Sequence, residues 1–205
     1  MFSGIVQRQG KLVRKARTGK QFIFTFETQA WDKPLKRGES ICVNGVCLTI
    51  VTLPKKNQFT VHVVPETVAQ TTLAQLVLKE SVNLERSLKW GERIGSHFVL
   101  GHVDGVGRIL RKQTHGKSFA LRIEIPSSVM QLLVPKGSVA IDGVGLTIQK
   151  ISNRTILVAV IPHTAKATTL ERKKRGDRVN LEVDVIAKHL AHLVQPNGSR
   201  TVSVR

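Results

Sequence analysis

Three side chains in this sequence are of types that can carry proton transfer or nucleophilic chemistry: Cys47, His102 and Asp184. A thiol can act as a nucleophile, an imidazole can exchange a proton near neutral pH, and a carboxylate can orient a cationic histidine. Each also has a structural explanation, as a small strand residue, a hydrogen-bonded histidine and a helix N-cap. Residue type alone therefore does not decide between chemistry and structure.

The positions of these residues become informative because the chain contains one domain twice. The stretch Val43–Ile50 (VNGVCLTI) recurs as Ile141–Ile148 (IDGVGLTI), and Val82–Glu85 (VNLE) recurs as Val179–Glu182 (VNLE). Several further matches follow in the same order, which chance would not keep in register. A duplicated pocket suggests two similar ligands, or one ligand bound twice.

The three candidates are each present in one copy alone. The aligned pairs are Cys47 with Gly145, His102 with Ile5, and Asp184 with Ser87. Chemistry between two like ligands requires the two pockets to differ. These mismatches are therefore the predicted source of the difference.

The elements that must position these residues are short strands. Alternation of apolar and polar residues predicts strands at 2–13, 21–28 and 58–64, a closing strand at 81–85 and a short helix at 66–73. Asn-Gly at 44–45 and Asp-Gly at 142–143 predict two-residue hairpins, the first placing Cys42 opposite Cys47. The pattern predicts an all-β fold with a small closed antiparallel barrel in each copy.

The expected domains are an N-terminal barrel at 1–96 and a C-terminal barrel at 97–184. A helix at 185–195 carries Ile186, Leu190, Leu193 and Val194 on one face, and we expect it to pack against other subunits. Residues 196–205 have the composition of a flexible tail.

Composition limits the classes of function. The chain has 32 Lys and Arg against 14 Asp and Glu, a net charge of +18, yet the basic residues are dispersed and Tyr is absent. A base-stacking platform is hard to build from so few aromatics, so we do not expect a nucleic-acid partner. The sequence has no membrane-spanning apolar run and just two cysteines, which predicts a cytoplasmic protein.

The motifs together resemble the riboflavin synthase alpha-chain family over almost the whole chain. The segments that carry the resemblance are Met1–Val6, Asn44–Thr49, Glu66–Thr67, Thr71–Leu73, Val82–Arg86, Gly95–Gly105, Asp142–Val144 and Val179–Asp184. The resemblance implies two six-stranded Greek-key barrels and a C-terminal helix that assembles a homotrimer. It also implies an active site between the N-terminal barrel of one subunit and the C-terminal barrel of its neighbour.

The implied reaction is the dismutation of two 6,7-dimethyl-8-ribityllumazine molecules. A four-carbon unit passes from one to the other, giving riboflavin and 5-amino-6-(D-ribitylamino)uracil, with no metal or separate cofactor. His102 would be the base, Cys47 or a water or ribityl oxygen the nucleophile, and Asp184 the group that orients the histidine, while Phe2 would also contribute. An association with a lumazine synthase shell is left open.

The resemblance also implies the binding residues. Those of the N-terminal pocket would be Gly4, Ile5, Val6, Cys47, Leu48, Thr49, His62, Val63, Val64, Pro65, Glu66 and Thr67. Those of the C-terminal pocket would be Gly101, His102, Val103, Lys136, Gly145, Leu146, Thr147, Ile161, Pro162, His163, Thr164, Ala165 and Lys166.

Two positions depart from the expected pattern. Gly145 stands where the family usually carries Ser, so a hydroxyl is missing from the C-terminal pocket, and His163 replaces the Glu66 of the first copy. Two other functions remain open from the sequence: a non-catalytic relative that binds a lumazine or flavin, and a nucleic-acid-binding barrel protein attracted by the positive charge.

Overall fold

The structure is a computed structural model that describes residues 1–194, so residue 195 and the predicted tail at 196–205 lie outside the described residues. The strands of the first half are β1 Arg8–Thr18, β2 Gln21–Thr28, β3 Ser40–Val43, β4 Val46–Thr52, β5 Gln58–Val63 and β6 Ser81–Arg86. Those of the second half are β7 Gly105–His115, β8 Ser118–Glu124, β9 Ser138–Ile141, β10 Val144–Ser152, β11 Thr155–Val160 and β12 Arg178–Val183.

The predicted all-β fold of two six-stranded antiparallel barrels is confirmed. The first barrel closes in the order β1-β2-β5-β4-β3-β6 and the second in the equivalent order β7-β8-β11-β10-β9-β12. The helices are α1 Pro65–Gln70, α2 Ser127–Met130, α3 Pro162–Ala167 and α4 Val185–Val194. Within residues 1–194, none of the helices has the length and apolar character needed to cross a membrane.

Each barrel encloses its own core because alternate strand residues point inward. Phe24, Phe26 and Phe59 are fully buried in the first barrel, and Leu121, Ile123 and their neighbours fill the second. Phe26 and Phe59 lie with ring centroids 5.4 Å apart, within the range of favourable aromatic contact. The strand alternation in the sequence therefore selects which residues form the two cores.

Both predicted hairpins have the expected register. Val43 pairs with Val46 and Cys42 with Cys47, while Ile141 pairs with Val144 in the second barrel. The turn residues have the positive φ that a type I′ turn requires, 46° and 81° at positions 44 and 45.

The first predicted strand is wrong in its bounds, since β1 begins at Arg8 and not at residue 2. Gly4 has a φ of +75°, which interrupts an extended strand, and Phe2 pairs instead with Val99. The predicted helix at 66–73 is likewise shorter, because Thr71 is extended and separates α1 from a 3₁₀ turn that begins at Thr72.

The two barrels meet along a seam that is built around a pseudo-twofold axis. Phe2 and Val99 occupy equivalent positions and exchange both backbone hydrogen bonds, at 2.7 and 3.2 Å. The hairpin turns also meet, since a Cβ on Gly45 would lie 2.8 Å from the Gly143 nitrogen. Such reciprocal contacts between equivalent residues are what a closed twofold arrangement produces.

Two equivalent asparagines fasten this seam. Asn83 Nδ2 donates to the Asp142 carbonyl at 2.9 Å, and Asn180 Nδ2 donates to the Asn44 carbonyl at 2.7 Å. Their Oδ1 atoms accept from the backbone of the opposite half as well, for example from Thr169 at 2.7 Å. Because buried polar groups must be paired, these bonds fix one orientation of the barrels.

The segment that leads into each barrel packs on the other barrel. Val6 contacts the core of the second barrel, and Val103 contacts the core of the first. This exchange of leading segments brings residues from the two halves of the chain into one place, and it positions the candidate site.

Candidate active site

The first candidate binding surface lies where β4 and β5 separate. The ladder between them ends at Ile50 and Val61, while the other edge of β4 stays paired with β3 through Thr49. Beyond this point the N–H of Cys47 donates a hydrogen bond of 2.9 Å to the Gly101 carbonyl. We call the resulting surface, made by 47–49, 62–67 and 101–103, the first notch.

The second barrel repeats this geometry. The ladder between β10 and β11 ends at Ile148 and Val158, and the N–H of Gly145 donates a hydrogen bond of 2.8 Å to the Gly4 carbonyl. We call the surface made by 145–147, 159–166 and 4–6 the second notch. Each notch therefore has a strand edge and the first turn of a helix from one barrel. It also has a crossing segment, which is the stretch at 101–103 in the first notch and at 4–6 in the second, just before the other barrel begins.

This geometry corrects how the crossing segments were assigned to pockets. Residues 4–6 were expected in the N-terminal pocket and 101–103 in the C-terminal pocket, but the structure exchanges them. The reason is steric and conformational. Gly4 and Gly101 have φ of +75° and +80°, and both lie too close to the opposite β-strand to carry a Cβ. The alignment of the copies holds no signal for this exchange.

Comparison with known proteins finds the same duplication. Residues 3–87 and 100–184 each match the lumazine binding domain. The riboflavin synthase of Bacillus subtilis is 38% identical over 93% of this chain and 88% of its own length. That of Mycobacterium bovis is also 38% identical, over 97% of this chain and 100% of its own length. The chain belongs to the riboflavin synthase family.

Solved structures support the same fold. The crystal structure of LumP complexed with riboflavin has a TM-score of 0.81 at 23% identity and covers 89% of this chain and 99% of LumP. LumP complexed with 6,7-dimethyl-8-(1′-D-ribityl)lumazine has a TM-score of 0.78 at 22% identity, with the same coverage of both chains. At this level of identity the likeness concerns the double-barrel architecture.

Cys47 and His102, two residues that the family resemblance singles out, are brought together in the first notch. The bond from Cys47 to Gly101 places the thiol-bearing residue beside the neighbour of His102. Burial raises the pKa of the Cys47 thiol, and the positive charge of the N-terminal amino group and the nearby Ser40 hydroxyl lower it only partly. The thiol is therefore neutral near pH 7, while the His102 side chain is exposed.

Asp184 occupies a different place from the one expected. Its carboxylate accepts from Ile186 N–H at 2.9 Å and so caps α4, which agrees with the structural explanation of this residue. Its charge acts on His97, whose pKa is lowered by burial and raised in part by Asp184. Asp184 thus acts on His97 by its charge, and within residues 1–194 it has no hydrogen bond or salt bridge to His102.

Phe2 also lies apart from the notches. Its side chain is fully buried in the seam with Cys42, Val99 and Ala140. A direct contact between this ring and a ligand is therefore not expected. Its backbone pairs with that of Val99, and both residues lie just before the crossing segments at 4–6 and 101–103.

The predicted binding residues differ in how exposed, and therefore how accessible to a ligand, they are. The exposed ones are Ile5, Thr49, His62, Val64, Pro65, Glu66, His102, Lys136, Thr147, Ile161, Pro162, His163 and Lys166. The partly buried ones are Val6, Cys47, Thr67, Val103, Gly145, Leu146 and Thr164, and the buried ones are Gly4, Leu48, Val63, Gly101 and Ala165. Lys136 N–H donates to Ile148 O at 2.8 Å on the β9 side of β10, the strand edge opposite the second notch.

Two buried carboxylates that hold the crossing segments are not predicted by the sequence analysis. Glu182 accepts from Leu100 N–H at 2.7 Å and Gly101 N–H at 3.0 Å. Glu85 accepts from the backbone of Ser3 at 2.6 Å and of Gly4 at 3.1 Å. Both lie in the repeated VNLE motif, which was visible but was interpreted as a closing strand. Two buried Glu residues at equivalent positions were the signal that could have found them.

The stability of the fold should depend on pH through Glu182. Burial raises its pKa to about 7, against the lowering effect of the backbone donors and of Lys188. A raised carboxyl pKa stabilises the fold at low pH, and this contribution is lost as pH rises from 4.5 through 7. The loss is about 3 kcal/mol in the free energy of unfolding.

Glu182→Gln removes this titration. Denaturant unfolding at several pH values should therefore show the free energy of unfolding of the variant rising relative to that of the wild type as pH rises through this window. Glu27→Gln, on the exposed face of β2, is the control and should keep the wild-type slope. Parallel stability curves for the wild type and Glu182→Gln would contradict the assignment.

Proposed function

We propose that the chain is a riboflavin synthase that joins two 6,7-dimethyl-8-ribityllumazine molecules. The observation that carries the proposal is the pair of equivalent notches in one chain, made unequal by a thiol and an imidazole. The products, riboflavin and 5-amino-6-(D-ribitylamino)uracil, contain together the atoms of two substrates. The dismutation therefore needs no external oxidant or reductant.

His102 is the proposed base that removes a proton from the methyl group conjugated to the lumazine ring. Its side chain is exposed in the first notch, where a ligand can reach it, and an imidazole can exchange protons near neutral pH. The neutral thiol of Cys47 suits hydrogen bonding to the ring better than attack on it, because the thiolate is the nucleophilic form. A water or ribityl oxygen is then the proposed nucleophile.

His102→Gln should lower kcat about a hundredfold, the lower range for loss of a general base. The free energy of unfolding should change by less than about 0.5 kcal/mol, because the side chain is exposed. Riboflavin formation and urea unfolding measure the two quantities. His115→Gln, on the exposed end of β7, is the control, and equal rates in the two variants would remove His102 from the mechanism.

A homotrimer, a cytoplasmic location and an association with lumazine synthase remain proposals alongside this one. The trimer is supported by α4, on which Ile186, Leu190 and Leu193 are 53%, 55% and 69% exposed. An apolar stripe of this kind is expected to be covered by another chain. The two free cysteines fit a reducing compartment.

Leu190→Glu should prevent assembly, because it places a charge in this apolar stripe. Light scattering should then report one chain of 22.7 kDa where the wild type gives three. His192→Glu, on the opposite side of α4, is the control and should leave the trimer intact. A monomeric wild-type protein would exclude the proposed assembly.

Product analysis tests the function itself. Incubation of the protein with the lumazine should give riboflavin and the ribitylaminouracil in equal amounts, with two substrates consumed per riboflavin. A spectral shift without riboflavin would instead identify a lumazine-binding protein that is not an enzyme.

A further inference from the structure

The two buried carboxylates of the repeated VNLE motif face the segments that cross between the barrels. Glu182 lies on β12 of the second barrel and Glu85 on β6 of the first, and each is 2% exposed. Each is paired with backbone N–H groups of a crossing segment and not with a basic side chain at salt-bridge distance within residues 1–194. A carboxylate used in this way fixes the path of the backbone.

The bonds form two continuous chains from one barrel to the other. Glu182 holds the N–H of Gly101, and the carbonyl of Gly101 accepts from Cys47 in the first notch. Glu85 holds the N–H of Gly4, and the carbonyl of Gly4 accepts from Gly145 in the second notch. The strand that closes one barrel therefore sets the geometry of the notch on the other.

We propose that Glu182 is a positioning residue for the first notch and that Glu85 is its counterpart for the second. The role rests on the proposed function, because it names which residues shape the two substrate sites. Neither carboxylate touches the ligand. Each acts by holding the crossing segment, which in the first notch carries His102.

The two carboxylates differ in the kind of donor that reaches them. Glu85 has an additional bond from the Ser3 hydroxyl at 2.8 Å, so its segment is held by three bonds from two residues. At the segment held by Glu182, the equivalent position is Leu100, which has no hydroxyl.

Amide hydrogen exchange on the full chain without ligand tests the positioning directly. In Glu182→Gln the amides of Leu100 and Gly101 should exchange at least tenfold faster, while those of Ser3 and Gly4 change less than twofold. In Glu85→Gln the pattern should reverse. Because no ligand is present, this result does not depend on whether the proposed reaction is correct.

Ligand titration then tests the consequence for the two sites. The probe is a ribityllumazine analogue without the acidic methyl group, and the amide shifts of Thr49 and Thr147 report the first and second notch. Glu182→Gln should raise the Kd of the first notch at least tenfold and leave the second within twofold. In turnover, KM should rise more than kcat falls, since bound substrate helps the segment to re-form.

Faster exchange in both segments in each variant, or in neither, would overturn the proposal. If Glu182→Gln does not fold, Glu182→Asp replaces it, because that side chain keeps the charge but is one methylene too short to reach both amides. The same one-sided pattern is expected from it, and an even loosening of both segments would again count against the proposal.

Discussion

Gly101→Ala should disrupt the first notch and destabilise the protein by about 2–5 kcal/mol. The residue has a φ of +80°, where an alanine costs about 1–2 kcal/mol. The new Cβ would also lie 2.6 Å from the Cys47 Cβ and 2.7 Å from its nitrogen, so β4 has to move, and such overpacking costs about 1–3 kcal/mol more. The shift of β4 also breaks the hydrogen bond from Cys47 N–H to the Gly101 carbonyl, so turnover should fall at least a hundredfold.

Gly38→Ala is a matched control for this variant. Its φ of +85° is nearly the same, but a Cβ there would meet no atom of residues 1–194 within 4 Å. It should lose about 1–2 kcal/mol of stability and keep its turnover. Equal destabilisation of the two variants in urea unfolding would mean that the contact with Cys47 is not important.

Lys173→Leu should destabilise the protein by about 3–5 kcal/mol, because it leaves the buried carboxylate of Asp142 without its partner. Lys173 Nζ lies 3.0 Å from Asp142 Oδ2, and Asp142 is 0% exposed. Burial alone would lower the pKa of Lys173, but attraction to Asp142 outweighs it and raises the pKa. The pair holds the hairpin turn that meets Gly45 at the seam.

The duplication supplies the control for this experiment. The first barrel carries Leu76 and Asn44 at the equivalent positions, so it forms the same seam without an ion pair. The double variant Lys173→Leu with Asp142→Asn copies this arrangement and should recover to within about 1 kcal/mol of the wild type. A double variant as unstable as the single one in urea unfolding would contradict this account of the pair.

Much of the fold could be predicted because it depends on local sequence. Alternation in the strands selects the core residues, and Asn44-Gly45 and Asp142-Gly143 encode turns that need positive φ. The repeat also indicated two equivalent sites. The alternation and the turns depend on residues within a few positions along the chain, and the repeat is read directly from the sequence.

The exchange of crossing segments could not be predicted, because it depends on contacts between residues far apart in the chain. The sequence predicts Gly4 and Gly101 as ordinary pocket residues, whereas their carbonyls accept hydrogen bonds from the opposite barrel. Asp184 is a candidate from the mismatch between the copies and Phe2 from the family resemblance, and the structure places them at a helix cap and in the seam. The repeated VNLE motif pointed to Glu182, but its backbone partners on residues 100 and 101 carry no signature in sequence, so its contacts could not be predicted.

The position of a bound ligand tests the central claim most directly, since each notch combines a strand edge of one barrel with the leading segment of the other half. A crystal structure of the protein with an unreactive ribityllumazine should show one molecule between the β4 edge and residues 101–103, and a second between the β10 edge and residues 4–6. A ligand that contacts β4 together with residues 4–6, or that lies outside both notches, would contradict the account.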